Sequence, residues 1–179
     1  MATQRLFFAL ELPAPLQQQL VQWRADNFAA EAGKPVAAAN LHLTLAFLGE
    51  VSDETSRKLQ LLASRIEQPG FPLDLDDAGH WPRPGVVWLG CQRAPRGLLQ
   101  LASLLRAQAA RHGCAQSPQP FHPHVTLLRH AAPQIALPPR GFHWRADIRH
   151  FALFASNVTR GRTRYQALAR WPLLSSPGE

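Results

Sequence analysis

Apolar residues along the chain fall into short runs with two different periods. "RLFFALELP" (Arg5–Pro13) is a nearly continuous apolar run closed by proline, which predicts a buried strand. In the following "APLQQQLVQWRADNF", Leu16, Leu20 and Trp23 share one helical stripe. "NLHLTLAFLG" (Asn40–Gly49) alternates and ends in glycine, as a strand does. From Ser52, "SDETSRKLQLLASRIEQPG" predicts a helix, with Ser52 as N-cap, acids in the first turn and closure at Pro69-Gly70. "FPLDLDDAG" (Phe71–Gly79) alternates like a half-exposed strand, and "GVVWLGC" (Gly85–Cys91) predicts a short buried one. Pro95–Gly113 carries the strongest helical signal: proline opens it, leucines recur at helical spacing, basic residues fill its last turns and glycine ends it. "FHPHVTLLRH" predicts a strand and "APQIALPPRGF" a surface loop. "RADIRHFALFAS" and "TRYQALARWPL" predict two closing strands joined by the polar "NVTRGR".

Strands outnumber helices and neighbour one another, so the expected class is α+β with antiparallel sheets, in a single domain over residues 1–179. Neither the ATPase phosphate loop nor the dinucleotide-binding glycine pattern occurs. An internal echo is visible: "HLTLAF" resembles "HVTLLR", and "FFALEL" resembles "HFALFA". A duplicated half-domain would give each half one H-x-T strand and one F-A-L strand.

The echoed H-x-T triplets carry the candidate chemistry. Residues two apart on a strand share a face. His42 and Thr44 therefore project together, with Leu43, Leu45 and Phe47 expected on the opposite, core-facing side. His124 and Thr126 repeat the arrangement, opposed by Val125 and Leu127. Two such strips across a cleft would surround a group with several oxygens, for which phosphate is the natural candidate. Displacement at a phosphodiester needs a base for the incoming oxygen and an acid for the departing one. Imidazole serves either role near neutral pH, and hydroxyls can hold the non-bridging oxygens where charge builds up. A single H-x-T is ordinarily the wet side of an amphipathic strand. Chance supplies roughly 0.3 such triplets in a chain of this composition, against the two found, each followed by leucine.

Composition narrows the setting. Hydrophobic residues form 46% of the 179, enough to bury a core without staples. The two cysteines, Cys91 and Cys114, make neither a disulfide framework nor a zinc knuckle and suit a reducing cytoplasm. The first sixteen residues hold too short an apolar run for a signal peptide or membrane span, so no membrane association is expected. The net charge of +7 is carried by arginine, with Lys34 and Lys58 the only lysines. That favours polyanionic partners, although a GC-rich genome would also enrich arginine.

The paired H-x-T motifs resemble those of the 2H phosphoesterase superfamily. "RLFFALELP", "NLHLTLAFLGEVS", "GVVWLG", "FHPHVTLLR" and "GRTRYQALARWPL" together resemble the bacterial RNA 2',3'-cyclic phosphodiesterases, also called 2'-5' RNA ligases. The resemblance implies a bilobal, duplicated fold with two antiparallel sheets flanking a central cleft and helices outside. It implies hydrolysis of a terminal RNA 2',3'-cyclic phosphate to a 2'-phosphomonoester, with His42 as proton donor and His124 as proton acceptor. Thr44 and Thr126 would clamp the phosphate, with no cofactor and no metal. The same chemistry run backwards with an RNA 5'-hydroxyl implies 2'-5' ligation, for example of tRNA halves. A cytoplasmic monomer is expected.

Arg129, past the second motif, is a candidate substrate-binding residue, yet strand parity puts it opposite His124 unless the strand bulges. His122 is expected to be structural or superficial. His112, His130 and His150 read as surface or helix-end residues, His80 as a loop residue, and Phe8 and Phe151 as core. Tyr165 with Arg160, Arg162 and Arg164 could track an RNA backbone or simply be solvated. Three rival readings remain open: a non-catalytic RNA-binding module, a metal site at His122, His124 and His130, and a phosphodiesterase for another cyclic phosphate such as ADP-ribose 1'',2''-cyclic phosphate.

Overall fold

The computed structural model describes residues 2–175. Strand β1 (Thr3–Glu11) leads through Pro13 into helix α1 (Ala14–Asn27), whose Leu16 and Leu20 are buried. The two-residue strand β2 (Lys34–Pro35) precedes β3 (His42–Ser52), which feeds directly into α2 (Asp53–Ala63). Ser52 is the N-cap expected of it, its Oγ accepting the Thr55 N–H at 3.2 Å. This helix stops well short of Pro69-Gly70. Strands β4 (Phe71–Leu75), β5 (Asp77–Trp81) and β6 (Val86–Gly90) follow, then α3 (Arg96–Arg111), β7 (His124–Arg129), β8 (Trp144–Ile148), β9 (His150–Thr159) and β10 (Arg162–Pro172).

All named pairings are antiparallel, in the order β10-β9-β1-β3-β7-β6-β5, with β2 also on β7. The two expected sheets are thus two halves, β10-β9-β1-β3 and β7-β6-β5. They are joined by the single residue pair Leu43↔Val125. Both residues are fully buried, so the join sits in the core while the flanking strands diverge. Beneath the sheet, Leu98, Leu101 and Leu105 of α3 and Leu20 of α1 share one cluster with Leu43, Leu45, Val125 and Leu127. Phe8 and Phe151 belong to it too, as expected.

Two stretches that read as single strands are each split between sheets. Asp76 separates β4 from β5, and Arg149 separates β8 from β9. β4 and β8 pair with each other as a separate two-stranded sheet, tied by Asp74 to Arg145 (2.8 Å) and His143 (2.7 Å). A one-residue break suffices to switch a chain between sheets. Across Asp76 the buried positions Phe71, Leu73, Leu75 and Gly79 keep one alternation, whereas across Arg149 they shift phase from Ala146 and Ile148 to Phe151 and Leu153. His80 consequently lies on β5, not in a loop. The duplicated-half expectation fails in one respect: the two F-A-L strands, β1 and β9, pair with each other in the same half (Phe8↔Leu153, Ala9↔Ala152). In the other half, β6 holds the place beside β7 that β1 holds beside β3.

Candidate active site

The Leu43↔Val125 pair fixes the relation between the two motifs. Antiparallel register places His42 across from Thr126 and Thr44 across from His124, all on the face opposite the buried leucine and valine. Each histidine thus neighbours the other motif's threonine, about an approximate two-fold axis. In a regular ladder diagonal positions of this kind lie roughly 7–8 Å apart, a spacing that one tetrahedral anion between two side chains would suit. All four side chains line one cleft of about 1090 Å³, with Arg129.

Both imidazoles are held the same way. His42 Nδ1 donates to the Asn40 carbonyl at 2.7 Å, and His124 Nδ1 to the His122 carbonyl at 2.8 Å. A carbonyl accepts only, so each Nδ1 keeps its proton and each Nε2 carries the lone pair of the neutral ring. The Thr44 hydroxyl bonds to His42 Nε2 at 2.8 Å. Aromatic rings pack against each imidazole. Phe7 and Tyr165 lie 5.0 and 5.1 Å from His42, centroid to centroid, and Trp81 lies 4.8 Å from His124. Burial is the main reason that the His42 pKa falls to about 4, and the charges of Arg129 and His124 push it the same way against the Asn40 hydrogen bond. The His124 pKa is also lowered, first by burial and then by His122 and Arg129, while its bond to the His122 carbonyl opposes. Near neutral pH the open cleft therefore holds two neutral imidazoles.

Beyond the threonines, parity alone is a poor guide, because each motif strand bulges. On β3, successive β1 residues Phe8 and Ala9 pair with Ala46 and Thr44, leaving Leu45 as the extra residue. On β7, successive β6 residues Val87 and Trp88 pair with Leu128 and Thr126, leaving Leu127 extra. A bulge flips the facing of everything beyond it. Leu45 and Ala46 are both buried, as are Leu127 and Leu128, and the next residue on each strand turns to the cleft. Arg129 therefore joins the site. Phe47, expected in the core, is 65% exposed on the cleft wall. The two are positional counterparts, a cation at one end of the site and an aromatic ring at the other. The signal in the sequence is the doubled apolar pair after each threonine, "TLAF" and "TLLR", which breaks strict alternation.

The other candidates divide. Tyr165, Arg162 and Arg164 line the cleft, as do Arg5, Lys34, Trp81 and Val158, which no motif in the sequence picks out. Tyr165 packs edge-on against both Phe7 and His42. The polar joint is shorter than expected, β9 and β10 pairing as far as Thr159↔Arg162 around Arg160-Gly161. His122 lends its carbonyl to His124 and packs its ring on Trp88 at 4.6 Å. His130 is exposed at the cleft rim, His150 bonds Glu11 at 3.1 Å, and His112 caps α3. Among the described residues no three His, Cys, Asp or Glu side chains converge as metal ligands, so His122, His124 and His130 do not form a ligand set.

This site sits in a chain whose residues 12–155 match the model of the 2'-5' RNA ligase superfamily. The chain belongs to that superfamily. The RNA 2',3'-cyclic phosphodiesterase of Escherichia coli K12 is 61% identical over 170 residues, 95% of this chain and 97% of that protein. The Thermus thermophilus protein of the same name is 33% identical, over 97% of this chain and 92% of its own. Among solved structures, E. coli LigT complexed with 3'-AMP superposes with a TM-score of 0.93 at 61% identity, covering 96% of this chain and 98% of that one. The α+β class read from the sequence is thus that of a 2'-5' RNA ligase superfamily member. Among the described residues of this member, no helix is long and apolar enough to cross a membrane.

Proposed function

We propose that this protein is an RNA 2',3'-cyclic phosphodiesterase that opens a terminal cyclic phosphate to a 2'-phosphomonoester. The observation that carries the reading is the crossed pair of H-x-T motifs in one cleft, each imidazole with Nδ1 tied to a carbonyl and its Nε2 left as the lone-pair nitrogen, that of His42 bonded to the Thr44 hydroxyl. His124 Nε2 accepts a proton as water attacks phosphorus. The P–O3' bond breaks, and His42, protonated at Nε2, delivers its proton to the departing 3' oxygen. One proton is gained and one lost, and exchange with solvent resets the pair. The Thr44 hydroxyl turns from His42 to a non-bridging oxygen, Thr126 donates to another, and Arg129 offsets the charge.

Because His42 protonates the ribose oxygen, the ribose and the RNA upstream of it lie against the half-sheet that carries His42. That wall offers Phe47 and Val158 as exposed apolar surface and Arg5, Arg162 and Arg164 as cations. This combination suits base stacking plus backbone phosphate, as single-stranded RNA requires. An incoming RNA 5'-hydroxyl in place of water would reverse the reaction and make a 2'-5' bond, with tRNA halves as one source of such ends. The two free thiols, both shifted upward by burial, fit a cytoplasmic setting. The deciding experiment is product analysis with a nucleoside 2',3'-cyclic phosphate in the presence of EDTA. A 2'-phosphate is expected, with turnover reduced by about 10²–10⁴-fold in His42→Ala and in His124→Ala. A 3'-phosphate product, or undiminished turnover in either variant, refutes the assigned roles.

A further inference from the structure

The bulge that turns Arg129 into the cleft has a consequence for the backbone around it. An extra residue in one strand leaves the ladder locally unpaired, and buried carbonyls without donors are costly. The bulged residue is Leu127, fully buried between the pairs Val87↔Leu128 and Trp88↔Thr126. Its carbonyl accepts the Val36 N–H at 3.0 Å and, also at 3.0 Å, Nη1 of Arg24 from α1. The same Arg24 nitrogen donates to the Val36 carbonyl at 2.7 Å. Arg24 is only 9% exposed, the most deeply buried cation among the described residues, and its hydrogen bonds go to these two carbonyls and to no carboxylate. Burying a charge without a counter-charge is expensive, and a methionine would fill a similar volume. What the guanidinium adds is a fork that locks Val36 to the bulge.

We propose that Arg24 is a positioning residue for Arg129, holding the β7 bulge, and β2 against it, so that the Arg129 guanidinium meets the substrate phosphate. Two register steps along, past Pro35↔Leu128, Lys34 pairs with Arg129, and both residues line the cleft. Slackening the Val36–Leu127 clamp would therefore move both cations at that end of the site. This inference rests on Arg129 contacting phosphate, as proposed above.

The test is a double-mutant cycle on the full chain with a nucleoside 2',3'-cyclic phosphate as substrate. Arg24→Met is expected to lower kcat/KM about 10-fold, chiefly through KM, less than the roughly 100-fold that a full 1 Å misplacement can cost, because the clamp is loosened while Arg129 itself remains. The pH dependence of kcat, which reports the histidines, is expected to move to higher pH, because a displaced Arg129 lowers both imidazoles less. Arg24→Lys keeps the charge and a single donor nitrogen but not the planar guanidinium, and is expected to recover part of the loss. In an Arg129→Ala background, Arg24→Met should change kcat/KM by less than about 2-fold, since the residue it positions is gone. A full-sized effect of Arg24→Met in that background, with Arg129→Ala itself impaired, overturns the positioning role alone. Wild-type kcat/KM in a folded Arg24→Met protein does the same. Wild-type kinetics in Arg129→Ala would instead remove the phosphate contact and this inference with it. If Arg24→Met does not fold, the cycle with Arg24→Lys reads the same coupling.

Discussion

An acid with a pKa of about 4 is nearly always unprotonated at pH 6, so His42 can serve as proton donor only if the substrate changes its titration. The change expected is large. A cyclic phosphate carries one negative charge. Placed about 5 Å from the imidazole at an effective dielectric of about 20, it favours the imidazolium by about 3 kcal/mol. That raises the pKa by about 2.4, to about 6.4 in the complex. At pH 6 the protonated fraction of His42 would rise from about 0.01 to about 0.7, so binding should draw about 0.7 proton from solution. The measurement is calorimetric titration of a nucleoside 2',3'-cyclic phosphate into His124→Ala, which retains the donor and lacks the base. The ligand does not itself titrate near pH 6. Repeating the titration in buffers of different ionisation enthalpy gives the proton count. The same titration of the His42→Ala, His124→Ala double variant should show none. Binding without proton uptake, or uptake that survives removal of both histidines, would refute the reasoning that the substrate charges its own acid.

Other outcomes follow from the same geometry. Phe47→Ala should leave stability nearly unchanged, because the ring is exposed. It should weaken a cyclic-phosphate substrate by about 1–3 kcal/mol in kcat/KM, as loss of one stacked base does. Leu43→Ala should cost about 2–5 kcal/mol in denaturant unfolding, since Leu43 is fully buried where the two half-sheets join. The lowered His42 pKa also makes stability depend on pH. The unfolded chain binds a proton below about 6.5 that the folded cleft resists until about 4, so stability falls as pH drops through that window. The contribution is about 2 kcal/mol between pH 7.5 and 4.5, and it should be missing from the unfolding profile of His42→Gln.

The histidines and threonines were legible because a period of two needs only a regular strand, and β3 and β7 stay regular from His42 to Thr44 and from His124 to Thr126. Just past the threonines the same rule misplaces Phe47 and leaves Arg129 ambiguous: the doubled apolar pairs in "TLAF" and "TLLR" mark where alternation breaks, and only the pairing with β1 and β6 shows that each break is a bulge. The breaks at Asp76 and Arg149 are hidden for a related reason. At Asp76 alternation continues while the next strand joins a different sheet, so only pairing reveals that switch. At Arg149 the buried positions change phase, from Ala146 and Ile148 to Phe151 and Leu153, yet pairing is still needed to show a change of sheet. Neither Trp81 nor Phe7 carries any pattern of its own. Each becomes part of the site because a ladder brings it beside a histidine.

The bulges also explain how a nearly symmetric pair of motifs serves an asymmetric reaction. Two-fold geometry alone would make the imidazoles interchangeable, and nothing would then decide which becomes acid and which base. At the positions the bulges turn inward, the symmetry is broken as far as side chains allow, with Arg129 against Phe47. Aromatic packing differs as well: His42 lies between Phe7 and Tyr165, whereas His124 has Trp81 and its neighbour His122. The burial pressing on His42 is the stronger, enough to hold its pKa near 4. A deeply buried imidazole gains most from an anion that enters beside it, because the charge it would form has the least water to stabilise it. On the proposed mechanism the more buried histidine would therefore be the one that a bound phosphate converts into an acid. Exchanging Phe47 and Arg129 would then alter the difference between the two titrations more than either value alone. NMR titration of both imidazoles in the double exchange would check that, and an unchanged difference would assign the asymmetry to burial alone.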